Sequence, residues 1–170
     1  TVTDIHGNTA TCNQTVTVVD TQNPAITCPG DVLNVPADLN QCYATGVALG
    51  TPTTGDNCGV SSVTNNAPAQ FPVGTTTVTW TVTDIHGNTA TCNQTVTVVD
   101  TQNPAITCPA NVTNIPANAG QCYATGVALG TPTTSDNCGV STVTNNAPAQ
   151  FPVGTTTVTW TVTDIHGNTA

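Results

Sequence analysis

The sequence predicts an all-β protein built from tandem two-sheet sandwiches, and three observations support this prediction. The motif TVTDIHGNTA occurs at residues 1–10, 81–90 and 161–170, so its spacing is 80 residues (81 − 1 and 161 − 81). A period of this length is too long for a helical solenoid unit and suits a small all-β domain. Segments of alternating apolar and polar residues are separated by turn-forming residues, and no segment shows a helical period.

The repeats are nearly identical, and their linkers define the expected domain boundaries. Residues 1–80 and 81–160 differ at only nine positions, seven of them between residues 30 and 40. The segment DTQNP is polar, ends in proline and separates two predicted strands, which indicates a short linker. We therefore expect a segment of a longer array that contains three parts: the last strand or strands of one unit (1–20), one complete unit (21–100), and a unit without its final strand (101–170).

The most regular predicted element is a β-hairpin that contains the second copy of the motif. Residues 75–83 (TTTVTWTVT) and 88–100 (NTATCNQTVTVVD) alternate apolar residues with polar ones, which predicts two half-buried strands. Residues 84–87 predict the turn between them, because Gly87 can adopt the left-handed conformation that closes many hairpins. The side chains predicted to face the core are Val78, Trp80, Val82, Val96 and Val98.

The remainder of the unit predicts short strands joined by loops. Strands are expected at residues 25–28, 32–35, 42–49 and 60–64, where apolar and β-branched residues are bounded by turn formers. A long loop is expected at residues 50–59 and a turn at residues 71–74. Six or seven short strands per unit are typical of a two-sheet sandwich.

The composition excludes several classes of partner. The chain has no Lys, Arg or Glu, and its nine Asp residues give it a net charge of −9. A chain without cationic side chains cannot hold nucleic acid through phosphate contacts, and we expect no binding to anionic membrane surfaces. It has no run of 18 apolar residues, so no direct membrane insertion is expected. Clustered carboxylates could be offset only by a metal ion, a protonated His or hydrogen-bond donors.

Several motifs, taken in order, resemble the hyalin repeat (HYR) domain family. They are NPAITCP (23–29), QCYATG (41–46), DNCG (56–59), FPVGTTTVTWTVTD (71–84), HGNTATC (86–92) and TVTVVD (95–100). The resemblance implies immunoglobulin-like β-sandwiches, in tandem, in extracellular proteins associated with adhesion, and it implies no catalytic activity. The near-identity of the copies and the absence of Lys, Arg and Glu depart from the family pattern, and they favour a long homopolymeric array.

Each repeat carries four cysteines, which predict disulfides and an oxidising compartment. The eight are Cys12, Cys28, Cys42, Cys58, Cys92, Cys108, Cys122 and Cys138. No CxxC pair is present, so a zinc site is disfavoured. From the expected order of strands we predict the pairs Cys28–Cys42, Cys58–Cys92 and Cys108–Cys122, with Cys138 unpaired and Cys12 left over from a preceding unit. The pairing of Cys28 with Cys92 and of Cys42 with Cys58, or a crossed pairing, stays open.

The sequence also predicts a calcium site at each linker. The hairpin tip (84–88), the loop that contains DNC at residues 56–58 (the DNC loop) and the linker (20–24) are expected at one pole of the unit, where three carboxylates and several amide oxygens would converge. Ca²⁺ suits such a set because it takes six to eight oxygen ligands in flexible geometry. The candidate ligands are Asp20, Asn23, Asp56, Asn57, Asp84 and Asn88, and then Asp100, Asn103, Asp136, Asn137, Asp164 and Asn168. The alternative is that these residues form only turn and loop hydrogen bonds.

Other candidate sites are fewer. The sequons at Asn13, Asn93 and Asn111 permit N-glycosylation in a suitable host. The three His residues are expected to be exposed on turn tips. An enzyme is not expected, because no nucleophile with an orienting partner is evident.

We therefore expect a structural or adhesive segment of a long extracellular protein that forms a fibre, stalk or filament. Its partners would be neighbouring copies of the same repeat, within one chain or as a homopolymer. One alternative is a ligand- or glycan-binding adhesin module whose specificity lies in the variable residues 30–40 and 110–120. Another is a filament in which short subunits exchange a donor strand, with residues 11–20 completing the 101–170 unit of a neighbour and Cys12 bridging Cys138.

Overall fold

The computed structural model describes residues 1–170, which form β-strands and no helix. The strands in residues 1–100 are β1 Val2–Thr3, β2 Thr9–Ala10, β3 Ala25–Thr27, β4 Val32–Pro36, β5 Tyr43–Thr45, β6 Thr53–Gly55, β7 Val60–Asn65, β8 Gln70–Pro72, β9 Gly74–Asp84 and β10 Thr89–Val99. The strands in residues 101–170 are β11 Ala105–Thr107, β12 Tyr123–Ala124, β13 Thr133–Ser135, β14 Val140–Asn145, β15 Phe151–Pro152 and β16 Trp160–Asp164. The protein therefore offers no helical membrane span.

Residues 21–100, here called the first unit, are organised around a four-stranded sheet in the order β4-β10-β9-β7. Strands β9 and β10 form the predicted long hairpin, with Trp80 opposite Cys92 and Val78 opposite Gln94. Strand β7 pairs with β9 in the antiparallel sense, whereas β4 joins the other edge by pairing in parallel with β10. Strand β10 is therefore an interior strand that depends on neighbours on both sides.

Two ribbons, β3–β6 and β5–β8, form a second layer over this sheet. Strands β3 and β8 each contact both β9 and β10, so the ribbons lie across the long hairpin. The buried apolar core between the layers consists of Ala44, Phe71, Val78, Trp80, Val96 and Val98. Full burial of a side chain such as Phe71 contributes about 1.5–3 kcal/mol. The all-β prediction is confirmed, and the two layers form the expected sandwich around a small core.

The unit departs from the predicted elements in its second layer. The strand predicted at residues 42–49 ends at Thr45, because Gly46 takes a φ of 62° and Gly50 one of 78°. A Cβ at Gly50 would lie 3.3 Å from the Cβ of Pro29, so the backbone passes close to the end of β3. The predicted loop at 50–59 contains β6, and the predicted turn at 71–74 overlaps β8. Both strands have only three residues, which is too short for alternation to reveal them, and each includes a residue that is rare in strands, Gly55 in β6 and Pro72 in β8.

Residues 101–170, the second unit, repeat the pairs β11–β13, β12–β15 and β14–β16 in the registers of the first unit. They contain no counterpart of β10 beyond a single bridge between Thr163 and Thr169. Residues 155–159 and 112–116, which correspond to the strands on either side of β10, form no ladder. Consequently Val158 and Trp160 are only partly buried, whereas Val78 is 0% and Trp80 7% exposed.

Residues 1–20 lie ahead of the first unit and make few contacts within the chain. Strands β1 and β2 form a small hairpin that reproduces the hairpin tip of the repeats. Residues 11–19 belong to no strand or sheet and are exposed along their whole length. Their sequence is that of residues 91–99, which make up all of β10 except its first two residues, but no neighbouring strand covers them.

Candidate joint and metal site

The tip of each long hairpin is organised by one buried aspartate. In the first unit, Oδ1 of Asp84 accepts hydrogen bonds from the backbone N–H groups of His86 (2.8 Å) and Asn88 (2.9 Å). Its Oδ2 accepts one from the Asn88 side-chain amide at 2.7 Å. Burial of Asp84, which is 2% exposed, raises its pKa, but these hydrogen bonds outweigh burial and hold the pKa below its usual value. The same arrangement recurs at Asp164.

The DNC loop supplies a second carboxylate that is only half satisfied. Oδ2 of Asp56 accepts hydrogen bonds from the backbone N–H groups of Cys58 (2.8 Å) and Gly59 (2.9 Å). Its Oδ1 is buried and has no hydrogen-bond partner, and Oδ1 of Asp136 is in the same position in the second unit. In each unit, the loop backbone therefore holds one oxygen of this carboxylate and leaves the other oxygen without a hydrogen bond.

The linker supplies the third carboxylate. The side chain of Asp20 is 8% exposed, and its Oδ1 accepts a hydrogen bond from the backbone N–H of Gln22 at 3.1 Å. This hydrogen bond lowers the pKa of Asp20, and its effect exceeds that of burial, which raises the pKa. The other oxygen, Oδ2, has no hydrogen-bond partner. The linker, the DNC loop and the hairpin tip meet at what we call the joint. Two of its three carboxylates thus each present an unpartnered buried oxygen.

The structure brings these carboxylates together at both joints. Asp20, Asp56 and Asp84 place one oxygen each within 4.8 Å of one another, and Asp100, Asp136 and Asp164 do the same. Three like charges at this distance repel unless donors or a cation offset them. A His nitrogen and a Cys sulfur also lie within 4.8 Å of the linker aspartate at each joint, although Cys138 is held in a disulfide. The three carboxylates, with their unpartnered, buried oxygens, suit a hard cation such as Ca²⁺.

The asparagines predicted as ligands behave differently. Asn23 and Asn103 are exposed. The Asn88 and Asn168 side-chain amides donate to Asp84 and Asp164, and those of Asn57 and Asn137 face the adjacent cysteine sulfur. Asn137 also donates to Oδ1 of Asp100 at 3.2 Å and retains a buried, unpartnered Oδ1. Three of the six asparagines therefore donate to the carboxylates through their side-chain amides.

The histidine of each hairpin tip was predicted as an exposed turn residue, and the structure also places it against a linker aspartate. Nδ1 of His86 lies 3.4 Å from Oδ2 of Asp20, and Nδ1 of His166 lies 3.2 Å from Oδ2 of Asp100. The His86 side chain is 45% exposed, so the prediction of an exposed turn residue captured only part of its environment. The sequence offered one sign of this contact: with no Lys or Arg, His is the only side chain that can place a positive charge beside the linker aspartates.

The observed disulfides correct the predicted pairing. Cys28 is bonded to Cys92, which agrees with one half of the alternative pairing. The other half, Cys42–Cys58, is wrong, because Cys42 is bonded to Cys138 of the next unit and Cys58 is free. The predicted pairs Cys28–Cys42 and Cys58–Cys92 are wrong because β3 pairs with β6 and β5 with β8, so the first two cysteines do not lie on neighbouring strands.

The remaining cysteines also differ from expectation. The pair Cys108–Cys122 does not form, and Cys138 is not left unpaired. A bridge between Cys12 and Cys138 is wrong as well, because Cys138 is already bonded to Cys42. The free thiols are Cys12, Cys58, Cys108 and Cys122, and all four are exposed. The sulfur of Cys58 lies within 4.8 Å of a carboxylate oxygen of Asp20, and this neighbouring carboxylate raises the pKa of the Cys58 thiol.

The Cys42–Cys138 disulfide is one part of a contact between the two units. The backbone N–H of Asn40 donates to Oε1 of Gln102, and Nε2 of Gln102 donates to Oδ1 of Asn40, both at 3.0 Å. The Asn137 amide donates to the carbonyl of Gln41 at 2.9 Å. The variable residues 30–40 therefore end at the joint. In the second unit, Gly120 takes the place of Asn40 and has no side chain to accept such a bond.

The predicted sequons are accessible. Asn13, Asn93 and Asn111 are all exposed. Oδ1 of Asn93 accepts a hydrogen bond from the Thr79 hydroxyl at 3.0 Å. Their glycosylation stays a prediction.

Comparison with known proteins identifies the repeat. The family model described as HYR domain matches residues 19–98 and 99–170. Hyalin of Strongylocentrotus purpuratus is 35% identical over 180 residues, and Hyalin of Lytechinus variegatus is 37% identical over 182 residues. Sushi, von Willebrand factor type A, EGF and pentraxin domain-containing protein 1 of Mus musculus is 31% identical over 163 residues. Serine-rich adhesin for platelets of Staphylococcus aureus is 29% identical over 191 residues.

These matches cover most of this chain and a small part of each relative. They cover 100% and 98% of the chain for the two hyalins, 91% for the mouse protein and 98% for the staphylococcal one. In the same order, they cover 15%, 33%, 4% and 7% of the relatives. Because the family model matches nearly the whole chain in two consecutive copies, the chain belongs to the HYR domain family.

Proposed function

We propose that this chain is a structural and adhesive segment of an extracellular protein, in which HYR units are joined into a stiff rod. The observation that carries the proposal is the joint itself. One covalent bridge, Cys42–Cys138, and several hydrogen bonds hold the second unit against the first. Such a joint suits a protein that transmits force or holds partners apart, because it limits the relative motion that adjacent domains otherwise show.

An extracellular location is supported by chemistry and by the relatives. Disulfides persist in oxidising compartments, and this chain has one within a unit and one between units. The staphylococcal relative is named as an adhesin, which supports the adhesive part of the proposal. A structural role is favoured over catalysis because the joint carboxylates are tied to backbone N–H groups that fix a turn and a loop.

Calcium at the joint is the second part of the proposal. A cation held by Asp100, Asp136 and Asp164 would connect the linker to two segments of the second unit. It would offset the repulsion among the carboxylates and oppose bending at the linker. Asp20, Asp56 and Asp84 would hold an equivalent ion ahead of the first unit.

The test is a calcium titration of the thermal midpoint for the chain and for Asp136→Asn. Without calcium, the variant is expected to melt higher, because an amide replaces the unpartnered carboxylate oxygen and removes repulsion. With calcium, the unsubstituted chain gains stability, about 2.7 kcal/mol at a hundredfold excess over Kd, and the variant gains less.

Asp31→Asn serves as the matched control. Asp31 lies outside the cluster, its Oδ1 accepts a hydrogen bond from the Thr95 N–H, and the second unit already has Asn111 there. This control should keep the full calcium response. The absence of any calcium-induced shift in the unsubstituted chain, or an equal shift in Asp136→Asn, would refute calcium at the joint.

A further inference from the structure

Strand β7 forms one edge of the four-stranded sheet, and its outer side pairs with no strand of the chain. The backbone N–H of Asn66 donates to the carbonyl of Thr79, so these two residues form a hydrogen-bonded pair. Hydrogen-bonded and non-hydrogen-bonded pairs alternate along an antiparallel ladder, which places Val63 and Asn65 in non-hydrogen-bonded pairs with β9. Their backbone N–H and C=O groups therefore point outward, toward the free edge.

The opposite edge of the sheet, strand β4, is protected against further pairing. It contains Pro36, which has no N–H, and Asn34, whose φ of 58° departs from an extended strand, and Asp31 adds a charge just before it. Strand β7 (VSSVTN) has no proline, no charge and no positive φ. A bulge at its start leaves residues 62–65 as the regular part. Proteins commonly blunt edges with proline, charge and bulges, so this sheet has one blunted edge and one that stays open over most of its length.

Val63 lies on the core side of β7 but is incompletely covered. It is opposite Val82, which is 0% exposed, and yet 39% of Val63 is exposed. Val143, its equivalent in the second unit, is opposite Val162 and is also 39% exposed. Because the two values agree, the exposure belongs to the edge of the repeat and not to one particular unit. One further strand on this edge would cover the remainder of each valine.

We propose that the β7 edge pairs in the antiparallel sense with the β7 or β14 edge of a second copy of this chain. In the register that covers the valines, Val63 of one copy lies opposite Val63 or Val143 of the other. Ser62 then lies opposite Thr64 of the second copy, on the outer face of the combined sheet. Cross-strand pairs of β-branched residues and of Ser with Thr stabilise antiparallel sheets.

The strand is complementary to itself, which favours a second copy over an unrelated partner. Both copies contribute the same surface, as in two-fold symmetric contacts, and a slip by one residue would move the valine to the outer face. Backbone hydrogen bonds supply affinity in such strand addition. Each chain carries a net charge of −9, but Asp84 lies opposite Val60, at the bulged end of β7. Residues 62–65 are therefore the part of the edge where two acidic chains can approach.

A single contact of this kind is weak, and a row of units multiplies it. Two six-residue strands bury less than the roughly 1,600 Å² of a standard interface. Each unit has one such edge, and β14 differs from β7 only in having Thr142 in place of Ser62. Contacts at successive units add, because the first one raises the effective concentration for the next. Side-by-side bundling of rods rests on the proposed function, whereas the pairing of two edges does not.

The first experiment measures self-association of the full chain by sedimentation equilibrium in a buffer that contains a chelator. The four free cysteines are replaced by Ser, which leaves both observed disulfides in place and prevents cross-linking by thiols. We expect reversible association that strengthens from about 0.1 M to about 1 M salt. This change shortens the Debye length from about 10 Å to about 3 Å and so screens the repulsion between two acidic chains.

Val63→Lys with Val143→Lys should weaken the association by at least about tenfold, because two like charges would then lie directly opposite each other. The lysine stem still covers apolar surface while its charge reaches solvent at the edge, so each unit should stay folded. Thr81→Lys with Thr161→Lys is the matched control. It changes the net charge equally, but on the strands next to β7 and β14 and away from the free edge, so association should not weaken.

A second experiment tests the register, again with the four free cysteines replaced. Val63→Cys with Val143→Cys should cross-link two copies in oxidised glutathione, because the Cα atoms of a hydrogen-bonded antiparallel pair are about 5.5 Å apart, within disulfide range. Two thiols lose two protons and two electrons, one S–S bond forms, and glutathione disulfide is reduced to two thiols. Thr64→Cys with Thr144→Cys is the control. These positions are diagonal in the proposed register, about 7–8 Å apart, and should cross-link far less.

Three results would overturn the proposal: a chain that stays monomeric at every concentration and salt level, association that the Lys substitutions on the free edge leave unchanged, or equal cross-linking at residues 63 and 64. The cross-linking test still decides the matter if the Lys variant does not fold. Because a chelator is present, a failure of calcium binding at the joint does not affect these outcomes. The two proposals can therefore fail separately.

Discussion

Nε1 of Trp80 donates a hydrogen bond to Oε1 of Gln94 across the long hairpin, at 3.0 Å, inside the core of the first unit. Gln94 is 0% exposed, and its amide group donates to the carbonyls of Gly30 (2.7 Å) and Leu49 (2.9 Å). A buried amide is tolerated only when its hydrogen bonds are made, and here three are made to three separate segments. Gln94 therefore ties the sheet to the second layer of the sandwich.

Replacing Gln94 with Leu should destabilise the first unit by about 3 kcal/mol or more. The substitution leaves one buried N–H and two carbonyls without partners, each at a cost of about 1–3 kcal/mol when desolvation is complete. Urea unfolding followed by Trp fluorescence measures the change. Gln14→Leu is the matched control, because Gln14 has the same sequence context but is exposed and makes no side-chain hydrogen bond, so a single chain should keep its stability. Equal effects at both positions would contradict this account.

Gly87→Ala should destabilise the hairpin tip by about 1–2 kcal/mol. Gly87 has a φ of 93°, which an L-residue adopts at a cost, and a Cβ there would meet nothing within 4 Å. The loss would therefore arise from backbone strain alone. Gly30→Ala is the control: its site is open, its φ is not positive, and the second unit has Ala110 there, so stability should change by less than about 0.5 kcal/mol. A similar melting temperature for the two variants would argue against a strained turn.

Removing the bridge between the units with Cys42→Ala and Cys138→Ala should loosen the joint while leaving each core folded. The two cysteines are 96 residues apart, and the chain-entropy model gives a loss of up to about 4–5 kcal/mol for a loop near this length. Small-angle scattering should show a broader range of shapes, and the melting temperature should fall. Cys12→Ala with Cys122→Ala, which removes two exposed free thiols, should change neither. An unchanged scattering profile in the first variant would show that the disulfide does not limit the joint.

Removing the hydrogen bonds between Asn40 and Gln102 one at a time should increase the motion between the two units stepwise. Asn40→Gly removes the acceptor of the Gln102 amide but keeps the backbone N–H that donates to Gln102, whereas Gln102→Ala removes both hydrogen bonds. Asn40 has a φ of 60°, which Gly adopts easily, so the first unit itself should not lose stability. Residual dipolar couplings should show greater interdomain motion for Asn40→Gly and more again for Gln102→Ala. If Asn40→Gly increased the interdomain motion more than Gln102→Ala did, these two hydrogen bonds would not be what limits that motion.

The features predicted well from sequence are those that depend on residues close together in the chain. The alternation of residues 75–83 placed Val78, Trp80 and Val82 correctly in the core, since side chains on a strand alternate between faces. The turn at Asp84 also follows from local chemistry. By contrast, β6 and β8 are short edge strands that exist because neighbours pair with them, and their own sequences give little sign of it.

At the joint, too, some features follow from local sequence and others depend on contacts between distant segments. The three linker-pole aspartates could be grouped from the expected hairpin and loop positions, and they do lie together. The pairing of Cys42 with Cys138 could not be derived, because the predicted pairs of Cys42 lay within one unit and its partner lies in the next. Likewise, the contact between His166 and Asp100 depends on how two units meet, a relationship that no alternation pattern encodes.

The Cys42–Cys138 bridge changes the route by which tension would travel along an array joined in this way throughout. A pull that crosses the bridge reaches Cys138, passes back to Cys122 through 16 residues (138 − 122), and crosses the next bridge of the same kind. At about 3.6 Å per extended residue, that covalent path is at most about 58 Å per repeat, against about 290 Å for the 80 residues of the repeat. With every unit unfolded, such an array could reach only about a fifth of the length that its 80-residue repeats would otherwise allow, so the joints would limit its extension.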